Sequence, residues 1–107
     1  MSEYDLRQYK LLLENAKISI KNMNTLKKTI DNIEGLIYAI EEKDNEWNKQ
    51  FMAQWWILEE IHALNCFNEL HSLSDSIIER VNQTRLAMIE LLMQKIPQES
   101  NHLDDDN

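Results

Sequence analysis

The chain has 107 residues, and its 19 acidic against 11 basic side chains give a formal net charge of −8. That balance argues against a nucleic-acid partner, because neutralising phosphates needs an excess of cations. With one glycine and one proline, the chain has almost no helix breakers and no Gly-rich phosphate loop, and its single cysteine cannot form an internal disulfide. The composition therefore predicts an all-α protein without the loops that usually carry catalytic groups, and it does not indicate an enzyme.

The first predicted helix runs from Glu3 to Glu42. Apolar residues recur at steps of three and four from Leu6 to Ile40, which is the seam of a coiled-coil heptad pattern. Gly35 lies inside this helix, where a glycine costs about 1 kcal/mol relative to alanine. We expect it to permit close packing against another backbone or a mild bend.

The second predicted helix begins after an N-cap at Asp44 or Asn45, because their short side chains accept hydrogen bonds from first-turn amides. It reaches about Leu70. The single cysteine, Cys66, has no second thiol for redox or zinc chemistry and is expected to be a buried core sulfur.

Two consecutive capping-box spacings, at 72–75 and 76–79, allow either a break of this helix near Ser74 or a continuous helix. Pro97 ends the last helical stretch at residue 95 or 96. The sequence thus predicts one helical domain over 1–97 and a polar, acidic, disordered tail over 98–107.

Membrane and export signals are not expected. The N-terminus is acidic and polar and has no apolar run typical of a signal peptide. Apolar runs such as the one at 55–58 are far too short to span a bilayer. The expected location is the cytoplasm.

Residues 47–70, placed on a helix at about 100° per residue, form two apolar faces. We name the first the inner stripe, and it consists of Trp47, Phe51, Trp55 and Leu58. We name the second the outer stripe, and it consists of Met52, Trp56, Ala63, Phe67 and Leu70. One antiparallel helix cannot cover both faces, so the outer stripe is either further core or a surface that binds another chain. We take it as the candidate partner-binding site.

Two long antiparallel helices of this size bury too little apolar surface to be comfortably stable alone. We therefore expect a protein partner or a second copy, most simply a dimer, that completes a helical bundle. The predicted function is that of a small interaction module without a cofactor, of the inhibitor, immunity, chaperone or adaptor type.

A dimeric metal-binding bundle is an alternative. Glu59 and His62 have the Glu-x-x-His spacing of ferritin-like di-iron proteins, which points a carboxylate and an imidazole at one metal. If the chain folds back at Asp44, Asp31 and Glu34 lie opposite and complete a carboxylate shell. Hydrogen bonding of the same side chains inside a helical interface explains them without a metal.

The outline of the chain also resembles the small Trp-X-Gly secreted family. The resemblance is carried by the chain length, the helical hairpin and a tryptophan just after the turn, in the tripeptide Trp47-Asn48-Lys49. Lysine stands where the family motif has glycine. The resemblance implies a helical hairpin that dimerises into a four-helix bundle, and it assigns no functional residue here.

Overall fold

The computed structural model describes residues 1–66 and 73–97, which form four α-helices and no strand. The helices are α1 Glu3–Ala16, α2 Met23–Ala39, α3 Asn45–Asn65 and α4 Asp75–Lys95. Each helix packs against two others, α1 against α2, α2 against α3, α3 against α4 and α4 against α1. The predicted all-α class is confirmed, and the chain by itself forms a four-helix bundle.

Contacts near the helix ends show how consecutive helices run. Asp5, near the start of α1, accepts hydrogen bonds from the backbone N–H groups of Glu41 and Glu42, just beyond the end of α2. Trp47, near the start of α3, donates its indole N–H to the carbonyl of Leu91, near the end of α4, at 2.8 Å. In both pairs the two helices run in opposite directions.

The predicted continuous helix over 3–42 is wrong, because the chain leaves the helical conformation at 17–22. Asn22 starts α2 as its N-cap, and its side-chain oxygen accepts a hydrogen bond from the backbone N–H of Thr25 at 2.9 Å. The apolar spacing continues through the break, since Ile20 is 1% exposed and packs into the core. The heptad pattern therefore marked most of the buried face, although it missed the fully buried Leu12, and it gave no sign of the end of the helix.

This break changes how the core is completed. Two shorter helices, α1 and α2, lie side by side and take the places that a partner was expected to fill. The small size of the buried core, which motivated oligomerisation, is therefore no longer a reason for it. Association with a second copy stays a prediction that depends on the surface alone.

The start of α3 agrees with the sequence, because Asp44 is its N-cap and accepts a hydrogen bond from the backbone N–H of Trp47 at 3.2 Å. Its predicted extension to Leu70 lies outside the described residues.

The expectation of a buried cysteine is wrong. Cys66 is exposed, and its thiol donates to the carbonyl of Ala63 at 3.3 Å, because the C-terminal end of α3 projects this residue away from the core.

Of the two alternatives for the region near Ser74, the break is the one found. The Ser74 hydroxyl is the N-cap of α4 and accepts a hydrogen bond from the backbone N–H of Ile77 at 3.3 Å. The second predicted capping box is wrong, because Ser76 lies inside the helix. At the other end α4 stops at Lys95, two residues before Pro97, as predicted. The predicted tail over 98–107 lies outside the described residues.

The inner stripe forms the α3 side of the core, and all four of its residues are buried. Trp47 stacks on Phe51 at 4.8 Å between ring centroids and meets the edge of Tyr9 at 5.2 Å. Further along the same stripe, Trp55 donates its indole N–H to the carbonyl of Ile30 in α2 at 3.0 Å. Two buried indoles thus attach α3 to both neighbouring helices, and neither leaves an unpaired donor.

No other part of the described chain packs closely against Gly35, so the expectation of close packing is wrong. A Cβ atom added there would meet no heavy atom within 4 Å beyond its own helix and chain neighbours. We expect Gly35→Ala to stabilise the protein by about 0.5–1 kcal/mol, because alanine restricts the unfolded chain and costs nothing in the folded one. Urea unfolding measures the change. The reverse substitution at an exposed position of α3, Ala53→Gly, should destabilise by a similar amount, and a loss of stability in Gly35→Ala would contradict the open surroundings.

Asp5 makes folding stability depend on pH. The two backbone N–H groups of Glu41 and Glu42, which bond its oxygens at 2.9 and 3.0 Å, lower the pKa of this carboxyl below its ordinary value of 3.8. A lowered folded-state pKa means that the stabilisation is complete above pH 3.8 and is lost as the pH falls through the folded-state pKa. We expect Asp5→Asn to lower the melting temperature at neutral pH and to flatten its decline in acid. The variant Glu3→Gln, at an exposed position of α1, should retain the wild-type profile.

Candidate functional site

The structure separates the five residues of the outer stripe. Met52 is partly buried and packs against the core, whereas Trp56 is 61% exposed and Ala63 is exposed. Phe67 and Leu70 lie outside the described residues. Trp56 and Ala63 are therefore not part of the core, and they lie on the solvent side of α3.

The exposed ring of Trp56 contacts a buried neighbour, Trp55. Its ring meets the ring of Trp55 nearly edge-on, with 5.0 Å between centroids and 80° between planes. Trp55 is 5% exposed, and its hydrogen bond to Ile30 fixes its orientation. The contact with a buried, hydrogen-bonded neighbour restricts the motion of the exposed indole, so less conformational entropy is lost when a partner covers it.

Small residues flank the indole on the helix surface. Ala53 and Ala63 lie three residues before and seven residues after Trp56, which places them on the same face of α3, and both are exposed. Neither carries atoms beyond Cβ that would keep a partner away. On the side of Ala53 the indole is therefore open to approach, whereas the exposed Glu60 lies between it and Ala63.

The charges near Trp56 are mainly negative. Glu60 follows it by one turn and is exposed, and Glu59 is partly exposed on the side that faces α2. Lys49, seven residues before Trp56, is the exposed cation on this face of α3. Lys27 of α2 lies near Glu59, so the exposed Glu60 and the net charge of −8 are the features that would favour a cationic partner here.

The region predicted to complete a metal site contains an ammonium group. The ammonium group of Lys27 donates a hydrogen bond to the Asp31 carboxylate at 2.9 Å, and this bond is the main cause that raises the pKa of Lys27. The negative charges of Asp31, Glu59 and Glu34 raise it further. His62 is partly buried on the same helix as Glu59. Among the residues of 1–66 and 73–97, no group of three or more His, Cys, Asp or Glu side chains is placed to hold a metal ion. Lys27 thus supplies the cation beside these carboxylates.

Other exposed apolar side chains were not found by the sequence patterns. Tyr38 in α2, Leu64 in α3 and Leu86 in α4 are 75%, 71% and 60% exposed. Leu86 lines a cavity that also contains a charged side chain, Arg85. The heptad steps mark buried residues, so single exposed ones on other faces give no periodic signal.

None of the described helices is long and apolar enough to cross a bilayer. Comparisons with models of protein families, with curated protein sequences and with solved structures find no match to this chain. The resemblance to the Trp-X-Gly family therefore gains no support from them. The geometry of the surface is the basis for assigning a function.

Proposed function

We propose that this protein is a non-enzymatic binding module that docks a protein partner against the outer face of α3. The observation that carries the proposal is Trp56, a tryptophan that is 61% exposed in the middle of a long helix. Tryptophan is enriched among the few interface residues that supply most of the binding energy. Its exposure in the free chain supports the proposal that a partner covers this surface.

The size of the indole sets the scale of the interaction. Burying a large apolar side chain contributes about 1.5–3 kcal/mol through removal of its surface from water. Contact with Trp55 holds Trp56 in place, and the small side chain of Ala53 leaves it open to a partner on that side. In an interface centred on Trp56, this one side chain would contribute most of the free energy of binding.

The partner should be basic around an apolar pocket. The exposed Glu60 near Trp56 and the net charge of −8 would attract cations during the encounter, which raises the association rate more than the final affinity. Binding would then weaken as salt screens these charges over about 10 Å. In this mechanism the helix acts by occluding or bridging its partner and makes no covalent change in it.

Photo-crosslinking tests the proposal directly. Benzoylphenylalanine is placed at position 56 of the full chain, and the matched control carries it at Leu86, which is 60% exposed on another helix. After irradiation in an extract of the native cell, position 56 should give a distinct crosslinked protein that position 86 does not give. The same products from both positions, or no product from position 56, would remove the outer face of α3 as the binding surface.

A second copy of the chain is the other occupant predicted for this face. Light scattering at micromolar concentration should then give at least twice the 12.8 kDa chain mass. Because two copies, each with a net charge of −8 and an exposed Glu60 on this face, would repel each other, the association should strengthen as salt is added. The variant Trp56→Ala should return the mass to one chain. A mass of 12.8 kDa at every salt concentration would leave a different protein as the partner.

A further inference from the structure

A cavity of about 400 Å³ opens between the α1–α2 connection and α4, on a part of the bundle to which α3 does not contribute. Its lining consists of Ser19, Asn82, Arg85, Leu86 and Ile89. Ile89 packs partly against the core, and Leu86 is 60% exposed at the rim. Three polar and two apolar side chains line this open cavity, and its volume lies within the range of about 300–1,000 Å³ that small-molecule sites have.

Arg85 is the charged group of this cavity. Its Nε donates to the carbonyl of Ala16, the last residue of α1, at 2.8 Å, and one of its terminal nitrogens, Nη1, donates to Oδ1 of Asn82 at 2.6 Å. A guanidinium has five N–H donors. Both donors of Nη2 therefore have no acceptor in the part of the chain that the structure describes.

Within residues 1–66 and 73–97, the positive charge of Arg85 has no paired carboxylate, although the chain carries an excess of acid. Burial lowers the pKa of the Arg85 guanidinium, and burial is the only cause of that shift. A partly buried charge without a counter-ion is unfavourable, and arginine stays protonated all the same. An anion that reaches the cavity would offset this cost.

We propose that the cavity binds a small organic monocarboxylate that has an apolar stem. The carboxylate would accept hydrogen bonds from the unused guanidinium donors, whose planar arrangement suits two parallel bonds to one carboxylate. The Ser19 hydroxyl lines the same space and offers a further donor. The apolar stem would lie along Leu86 and Ile89. This site uses other helices than the outer face of α3, so it does not depend on the proposed protein partner.

Titration of the full chain with octanoate, followed by NMR, tests the assignment. Saturable shifts are expected for the Nε–H of Arg85 and for the methyl groups of Leu86 and Ile89. Neutral octanamide lacks the charge, and inorganic phosphate lacks the stem, so each should bind at least tenfold more weakly. Equal affinity for octanamide would overturn the role of the guanidinium, and equal affinity for phosphate would overturn the role of the stem.

A pair of substitutions separates the cavity from general effects of charge. Leu86→Glu places a carboxylate beside Arg85 at an exposed position, so the chain should fold and octanoate should bind at least tenfold more weakly. The matched control Leu64→Glu adds the same charge at a position of α3 that is 71% exposed, and it should retain wild-type affinity. Equal affinities of the two variants would overturn the proposal.

Arg85→Lys keeps the positive charge and removes the planar donor set. We expect about a tenfold loss of octanoate affinity, with circular dichroism confirming the helix content because the bond to Ala16 is also affected. Unchanged affinity in this folded variant would contradict recognition by the guanidinium. Tighter binding of a short acidic peptide than of octanoate would overturn the assignment to a small molecule.

Discussion

Replacing Trp55 by alanine should lower the free energy of unfolding by about 3–5 kcal/mol, because it removes a buried indole and leaves a cavity between α3 and α2. Trp55 is 5% exposed, and its N–H satisfies the carbonyl of Ile30 at 3.0 Å. The substitution loses apolar contacts and this hydrogen bond at once. Guanidinium or urea unfolding, monitored by circular dichroism, gives the change from the midpoint and the slope.

Trp55→Phe separates the two contributions. Phenylalanine retains much of the apolar volume and loses the indole donor, so the expected cost is smaller than that of alanine and includes about 1 kcal/mol for the hydrogen bond. A loss of less than about 1 kcal/mol in Trp55→Ala would show that α3 is not held to α2 by this residue. The inner stripe would then not be the core of the bundle.

In contrast to Trp55→Ala, Trp56→Ala should leave folding stability nearly unchanged and weaken partner binding. Its side chain is 61% exposed, so the free energy of unfolding should change by no more than about 0.5 kcal/mol. Binding of the protein crosslinked through position 56 should weaken by about 2 kcal/mol, or roughly 30-fold, because the substitution removes the anchor of the interface. Calorimetric titration of the purified partner into wild-type and variant chains measures this loss.

Leu86→Ala is the matched control, since it also truncates an exposed apolar side chain but on α4. It should leave the partner affinity within a factor of two of the wild type. If Trp56→Ala destabilised the chain as much as Trp55→Ala, the outer stripe would be core. If the variant were stable and bound with unchanged affinity, the protein partner would have to dock elsewhere.

The different environments of Trp55 and Trp56 were predictable from the sequence. Adjacent residues on a helix lie about 100° apart, so the apolar spacing assigned Trp55 to the inner stripe and Trp56 to another face. That argument establishes that the two side chains point in different directions. It does not establish what covers each face, which depends on how many helices the chain makes.

The number of helices could not be obtained from periodicity. The apolar steps run through 17–22 without interruption, because Ile20 is buried in the connection just as the heptad seam requires. The end of α1 and the start of α2 depend on a local cap, Asn22, whose competition with helix continuation is decided by packing. Breaking the helix lets α1 lie against both α2 and α4, a gain that no local window contains.

By itself, the sequence determined the all-α class, the inner stripe of α3, an N-cap at Asp44 or Asn45 and the end of α4 before Pro97, because each follows from local propensity and spacing. Only the tertiary structure decided that one chain closes a four-helix bundle and that Trp56 faces solvent. It also brought Arg85 to the carbonyl of Ala16, 69 residues away in the sequence. Contacts between such distant residues depend on how whole helices pack, and no regular spacing encodes them.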